Sequence, residues 1–288
     1  MKQDDAYHLD YGSISHSMLS VFCRSPFEYW LTFIQKTMPR KVPTKIMEVG
    51  SVVHAVLLER AAVDDLVVQY DADCFQKDGK LHGKNAAAFR AANPDKVCMK
   101  VADVCRVIQI VDMVREHELG NLIAGATAHE KAIYWTDPLT GMECRAKPDF
   151  VCDLGDRVVC YDLKISGTIS PGQFQRTAKM FCYWRQATHY SSGLTDNYGK
   201  PVTFRFFVCE SQFPFRIHPY WYDDRSREIA YGSWTKSMID LAQCYETGDW
   251  SDKWTNELTI GPWDTGDDLE ITGAEEVAEG DVESANAF

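Results

Sequence analysis

The chain has 288 residues, 45% apolar and 25% charged, and its 42 acidic and 30 basic side chains give a net charge of −12. That size allows one large domain or two small ones, and no apolar run reaches the ~20 residues of a membrane-crossing helix. The acidity is uneven: from Asp264 onward there are nine acidic residues and no Lys or Arg, so residues 1–263 hold 30 basic and 33 acidic groups and are nearly neutral. A nearly neutral body leaves room for local basic patches, which evenly spread negative charge would oppose. Residues 263–288, rich in Gly, Ala and Glu, read as an acidic, disordered tail, and residues 1–262 as a single domain. Met1 to Asp10 is polar and acidic rather than leader-like, which places the ten cysteines in a reducing, cytoplasmic compartment. None forms a C-x-x-C pair, so zinc ribbons and thioredoxin-type redox motifs are disfavoured.

In chain order, Ser13 to Ile34 carries apolar residues at helical spacing (Met18, Leu19, Phe22, Phe27, Trp30, Leu31, Ile34), with Pro26 dividing it into two helices. Lys45 to Arg60 is a further helix whose stripe is Val49, Val52, Val53, Val56 and Leu57. Residues 61–100 are ambiguous, a loop with a short Ala-rich helix. Val101 to Glu118 is amphipathic and helical, ended by Gly120. The period then changes. Glu130 to Thr136 reads as a strand, Asp137 to Gly141 as a hairpin turn, Glu143 to Asp153 as the returning strand, and Val158 to Ile165 as a third. A helix from Gln173 to Leu194, stopped near Gly193, precedes strands over 202–210 and 215–221 and a closing helix from Arg225 to Thr247. This order predicts one α/β domain, a central mixed β-sheet flanked by helices with an N-terminal helical elaboration.

Chemistry concentrates between Lys147 and Lys164. Asp162 and Lys164 are two apart on a predicted strand and so share a face, among apolar Val158, Cys160, Leu163 and Ile165. A carboxylate and an ammonium on so apolar a strand must pair, meet solvent or bind a ligand. Asp149 lies on the preceding strand, and the tight turn can set it opposite Asp162. Two carboxylates on neighbouring strands form a hard-oxygen cluster suited to Mg²⁺ or Mn²⁺. Lys164 adds a cation able to orient or help deprotonate an attacking water, the combination that metal-assisted phosphodiester hydrolysis requires. A surface salt bridge on a hairpin is the plainer alternative.

Pro148-Asp149 and Asp162-Leu163-Lys164, in that order with 12 residues between the two aspartates, resemble the PD-(D/E)-x-K nuclease superfamily, whose core is restriction-endonuclease-like. Gln186 and Tyr190, an i, i+4 pair on the following helix, match the Q-x-x-x-Y motif of the RecB-like branch, where the pair lines the active site. Gly50 to His54 resembles that branch's G-x-x-x-H helix, whose His is an additional metal ligand. Similarity to the RecE (exodeoxyribonuclease VIII) nuclease domains runs from Tyr7 to about Trp254, including Ser15-x-Ser17-x-Leu19 and Phe207-Val-Cys-Glu210.

The resemblance implies that His54, Asp149, Asp162 and the Leu163 carbonyl hold one or two divalent ions, Mg²⁺ with Mn²⁺ able to substitute. Lys164 would position the water, Gln186 would orient it or the metal shell, and Tyr190 would contact DNA or pack beside the scissile phosphate. It further implies an exonuclease acting on linear double-stranded DNA ends, 5′ to 3′, leaving 3′ single strands for an annealing recombinase. Such domains form ring-shaped homo-oligomers, such as tetramers, and work in the cytoplasm of bacterial or phage-infected cells. Arg176, Lys179 and Arg185 are candidate phosphate contacts or ordinary solvated charges, and Glu130 is a further acidic neighbour or an edge-strand charge. Trp184, Trp221 and Trp234 stack on bases or belong to the core. Only Cys209 and Cys244 follow Cys182, too few for the iron–sulfur variants of the superfamily. Three other readings stay open: a RecB-like nuclease of endonuclease or single-strand specificity, a catalytically silent DNA-binding module, and a metal-stabilised interaction protein.

Overall fold

The computed structural model describes residue 7 and residues 10–39 and 44–252. Helix α1 (His16–Arg24) begins where the Ser15 hydroxyl accepts the Met18 N–H at 3.3 Å. It ends at Ser25, which caps α2 (Pro26–Tyr29) by accepting the Glu28 N–H at 2.8 Å, with Pro26 at the first helical position. A π-helical turn over Trp30–Ile34 follows, then α3 (Lys45–Leu58). Residues 61–100 hold more order than their sequence suggests. They form α4 (Val63–Leu66), β1 (Val67–Gln69), α5 (Gly83–Ala92) and β2 (Val97–Met99), with β1 and β2 paired in parallel. Three-residue strands are too short for an alternation to be read.

Helix α6 (Val101–Glu116) stops before Gly120, contrary to expectation. His117 turns extended, and its Nδ1 accepts the Leu119 N–H at 3.1 Å to cap α7 (Glu118–Ala124), which contains Gly120. A Cβ on Gly120 would lie 2.6 Å from the Arg115 carbonyl oxygen, so this glycine permits a close helix junction rather than ending a helix.

Seven strands follow: β3 (Ala128–His129), β4 (Ile133–Thr136), β5 (Glu143–Ala146), β6 (Phe150–Asp153), β7 (Val158–Ser166), β8 (Val202–Glu210) and β9 (Ile217–Tyr220). The main sheet is mixed, in the order β3-β6-β7-β8-β9, with β7 and β8 parallel and the other neighbours antiparallel. β4 and β5 form a separate hairpin. The predicted strand over 143–153 is therefore two strands in two sheets, divided around Pro148, which has no N–H for a ladder. The strand expected from Glu130 starts only at Ile133. The single helix expected over 173–194 is α8 (Pro171–Met180) and α9 (Tyr183–Tyr198), separated by Cys182 in the left-handed region. Gly193 lies inside α9, where a Cβ would sit 2.5 Å from carbons of the Trp135 ring, so it too serves close approach. Helix α10 (Asp224–Thr247) starts at Asp223, whose carboxylate accepts the Ser226 N–H at 2.7 Å.

Core packs on both faces of the sheet. Val158 and Cys160 of β7 join Phe204, Phe206, Leu194 and Met238 in one cluster, which takes in α1, α9, α10 and the β4–β5 hairpin. Val159, Tyr161 and Leu163 point the other way, onto Val53, Val107 and Ile110 of α3 and α6. Covered on both sides, β7 reads as a nearly unbroken apolar run, and a charged residue within it stands out. These elements lie in one unit through Trp250; the acidic tail assigned to 263–288 lies outside the described residues. No helix among the described residues is long and apolar enough to cross a membrane. All ten cysteines are free thiols.

Candidate active site

Asp149 precedes β6 by one residue, one step beyond the Phe150–Tyr161 pair, so it meets β7 beside Asp162. Its Oδ2 accepts the Leu163 N–H at 2.6 Å, a side chain taking the role a strand carbonyl plays elsewhere. The Leu163 carbonyl is engaged as well, accepting from His54 Nε2 at 2.8 Å. That bond uses Nε2 and leaves His54 Nδ1 facing carboxylates, 3.6 Å from Asp149 Oδ2 and 3.9 Å from Glu130 Oε1. Gly50, one turn before His54, faces Ile165 of β7, where a Cβ would make an ordinary contact at 3.9 Å.

Glu130 is the residue the sequence left undecided. It takes φ 44°, a left-handed conformation uncommon outside glycine, and its N–H donates to the Asp149 carbonyl at 2.9 Å. Backbone strain of this kind costs on the order of 1–3 kcal/mol and persists where surrounding structure enforces it. Here it turns the carboxylate inward, 3.0 Å from Lys147 Nζ. Ligand atoms of His54, Glu130 and Asp149 all lie within 4.8 Å of one another.

Asp162 stands beside that trio and is engaged in its own triangle. Only 2% exposed, it places Oδ2 2.6 Å from Lys164 Nζ, while its Oδ1 accepts from Gln186 Nε2. Lys164 donates in turn to Gln186 Oε1 at 3.1 Å, and its ammonium sits 4.9 Å above the Tyr183 ring. Period-two alternation put Asp162 and Lys164 on one face, and α9 closes the group from above.

Electrostatics follow from three carboxylates in a small volume. Burial pushes the Asp149 carboxyl up to about 7; His54 opposes that rise, and Asp162 and Glu130 add to it. Burial would lower His54, but Asp149, Glu130 and Asp162 outweigh it and hold the imidazole at about 9. Burial also disfavours the Lys164 ammonium, and Asp162 more than compensates, so its pKa is raised. A dication relieves such carboxylate repulsion, and one imidazole among carboxylate oxygens is a donor set for Mg²⁺ or Mn²⁺. The residues therefore fit a divalent metal.

Two of the expected contact residues on α9 are buried. Tyr190 lies edge-on to His16 at 5.5 Å and to Phe204 at 6.0 Å and bonds to Gln186, which packs it beside the site with Asp162 and Asp149 nearby. Arg185 is buried too, over the Trp184 ring at 4.7 Å and donating to Ser20 Oγ at 3.4 Å, not lining a groove. Arg176 and Lys179 are exposed on α8. Trp234 is core, whereas Trp221 is exposed beneath Arg205. One positioning residue had no sequence signal: His189 on α9, fully buried, donates from Nε2 to the Arg145 carbonyl at 3.1 Å and accepts the Trp234 indole N–H at 3.2 Å. It ties the helix carrying Gln186 to β5 and α10.

No curated protein matches the chain. A solved structure from Eubacterium rectale, provisionally named an exonuclease, superposes with a TM-score of 0.58 at 14% identity, over 88% of this chain and 91% of that one. At that identity the likeness is one of fold. A second solved structure, of SSO0001, reaches a TM-score of only 0.29 at 10% identity, over 68% of this chain and 85% of that one, and carries no weight. Residues 15–256 match the family described as a PDDEXK-like domain of unknown function (DUF3799), and the site at Pro148-Asp149 and Asp162-Leu163-Lys164 lies inside that span; the chain belongs to this PDDEXK-like family.

Proposed function

We propose that the protein is a metal-dependent DNA exonuclease that hydrolyses phosphodiester bonds from the ends of linear duplex DNA. The observation carrying this reading is the approach of His54, Glu130 and Asp149 ligand atoms within 4.8 Å, beside the Asp162–Lys164–Gln186 triangle. His54 through Nδ1, Glu130 and Asp149 would hold the ion, with Asp162 as a further carboxylate and the Leu163 carbonyl close by. Bound there, Mg²⁺ or Mn²⁺ supplies positive charge to the scissile phosphate and acidifies bound water. Lys164, kept protonated by Asp162, donates to the attacking water or to a phosphate oxygen. Gln186 bridges Asp162 and Lys164 and holds both orientations; Tyr190 and His189 hold Gln186 by fixing α9. Arg176 and Lys179 lie on the exposed face of α8 and would meet the DNA backbone.

Resemblance to RecE-like nucleases supports the finer assignments: 5′ to 3′ digestion, 3′ single-stranded products, a ring-shaped homo-oligomer around the duplex, delivery to an annealing recombinase, and work in the cytoplasm. The test is linear duplex labelled at either end, with Mg²⁺, alongside a covalently closed circle. Early release of the 5′ label with the circle untouched is expected; cutting of the circle would replace the exonuclease by an endonuclease on the same site. Asp162→Asn keeps the acceptor for Gln186 and removes the charge, so it should abolish hydrolysis without unfolding the chain. Full activity in that variant would refute the site. Lys164→Ala should abolish hydrolysis as well, but it strands a buried carboxylate and costs stability too.

A further inference from the structure

A cavity of about 240 Å³ opens between the C-terminal end of α3, helix α7 and strand β3. Val56, Leu57 and Ile123 make its floor, His129 a wall, and Arg60 and Arg115 its rim. Both arginines are exposed, and among the described residues neither guanidinium makes a hydrogen bond or ion pair. The two guanidiniums leave one apolar hollow lined by unpaired positive charge.

Arg60 adds a second observation. It occupies the position just past α3 where the chain turns left-handed (φ 59°), with Ala61 N–H bonding back to the Ala55 carbonyl at 3.1 Å. Glycine is the residue that fits such a helix end without strain. An arginine there forgoes that fit and gains a guanidinium at the cavity. Position supplies the third observation. Two of its lining residues neighbour the metal-binding trio in sequence: His129 directly precedes Glu130, and Leu57 follows His54 by three residues on α3.

We propose that this cavity binds a nucleoside monophosphate unit, its phosphate on Arg60 and Arg115 and its sugar or base over Val56, Leu57 and Ile123. The proposal rests on the nuclease reading for its biological ligand, not for the binding itself. Guanidiniums are the donors suited to a phosphate, and an apolar floor beneath them suits a nucleoside better than an inorganic ion. The same chemistry is presented by a terminal phosphate on the strand being cut and by a released mononucleotide.

The test titrates deoxythymidine 5′-monophosphate against thymidine in EDTA by calorimetry, with wild type, Arg60→Gln, Arg115→Gln, and the distant Arg157→Gln as a charge control. Binding of the monophosphate only, weakened about tenfold by each cavity variant and unchanged in the control, is expected for loss of one charge-assisted contact. Equal binding of nucleoside and nucleotide, no binding of either, or full affinity in both cavity variants would overturn the site. Arg60→Gly separates backbone from side chain: it should raise the unfolding temperature while weakening the monophosphate, and unchanged affinity would refute the role of Arg60. A second arm compares 5′-phosphorylated with 5′-hydroxyl duplex in Ca²⁺. Preference for the phosphorylated end assigns the cavity to the strand terminus; no preference assigns it to the released nucleotide. Should monophosphate binding hold while no DNA is cut with Mg²⁺ or Mn²⁺, the nuclease reading fails and the cavity site stands.

Discussion

His189 offers the sharpest test of how the fold holds the site, because its two hydrogen bonds require a neutral ring. One nitrogen donates to the Arg145 carbonyl and the other accepts from Trp234, so a second proton would break the Trp234 contact. Burial lowers its pKa to about 4, against 6.5 for an unperturbed histidine. Between those values the unfolded chain takes up more protons than the folded one, so stability is complete above pH 6.5 and falls as pH drops toward 4. The loss attributable to this ring is ~2 kcal/mol at pH 5 and ~3 kcal/mol at pH 4. At roughly 2–4 °C per kcal/mol for a domain of this size, the pH 5 contribution is about 4–8 °C. His16, lowered to about 3 chiefly by burial, adds slope in the same direction, so a variant is needed to isolate His189. His189→Gln can keep a donor for Arg145 and an acceptor for Trp234 without titrating. It should be less stable than wild type at pH 7.5 by ~1–2 kcal/mol, an ordinary core hydrogen-bond defect. Its melting temperature should then fall less steeply, so that the two curves converge by pH 5. Parallel curves between pH 7.5 and 4.5 would refute the neutral bridging ring.

The remaining expectations concern the metal, the site and the packing that supports it. Mg²⁺ or Mn²⁺ should raise the melting temperature of wild type, by ~2.7 kcal/mol in stability at a hundredfold excess over Kd; Glu130→Gln with Asp149→Asn should abolish the shift, and its survival would remove these residues from the ligand set. Asp149→Asn keeps an acceptor for the Leu163 N–H and removes the charge that most raises His54. Nuclear magnetic resonance titration of the metal-free protein should show the His54 pKa falling from about 9, and an unmoved value would contradict the pairing. Because the folded His54 value lies above 6.5, the stabilisation from this pair is lost as pH rises through about 9, a loss the variant should lack, and it also weakens below about 7, where the Asp149 carboxyl takes up a proton. Gly193→Ala would set a methyl group 2.5 Å from the Trp135 ring. It should destabilise by ~1–3 kcal/mol through overpacking, despite the better helix propensity of alanine, and a stabilised variant would show that α9 can move off the hairpin freely.

Local repeats made much of this legible in the sequence. An alternation of two put Asp162 and Lys164 on one face of β7, a helical period put Gln186 and Tyr190 together, and Pro26 marked where the first helical stretch divides in two. What tertiary structure alone decided involves residues far apart in the chain. The 143–153 segment splits because its halves join different sheets. Glu130 leaves the strand because its backbone N–H bonds to Asp149 and its carboxylate is held by Lys147. Arg185 sits on α9 as expected, yet turns inward because α1 covers that face. Gly120 and Gly193 read as helix stops until the neighbouring backbone and indole show them to be points of contact. Propensity and period act over a few residues and fix which face a side chain shares. Burial, ion pairing and the depth of a site depend on what packs against that face, which no short stretch of sequence contains.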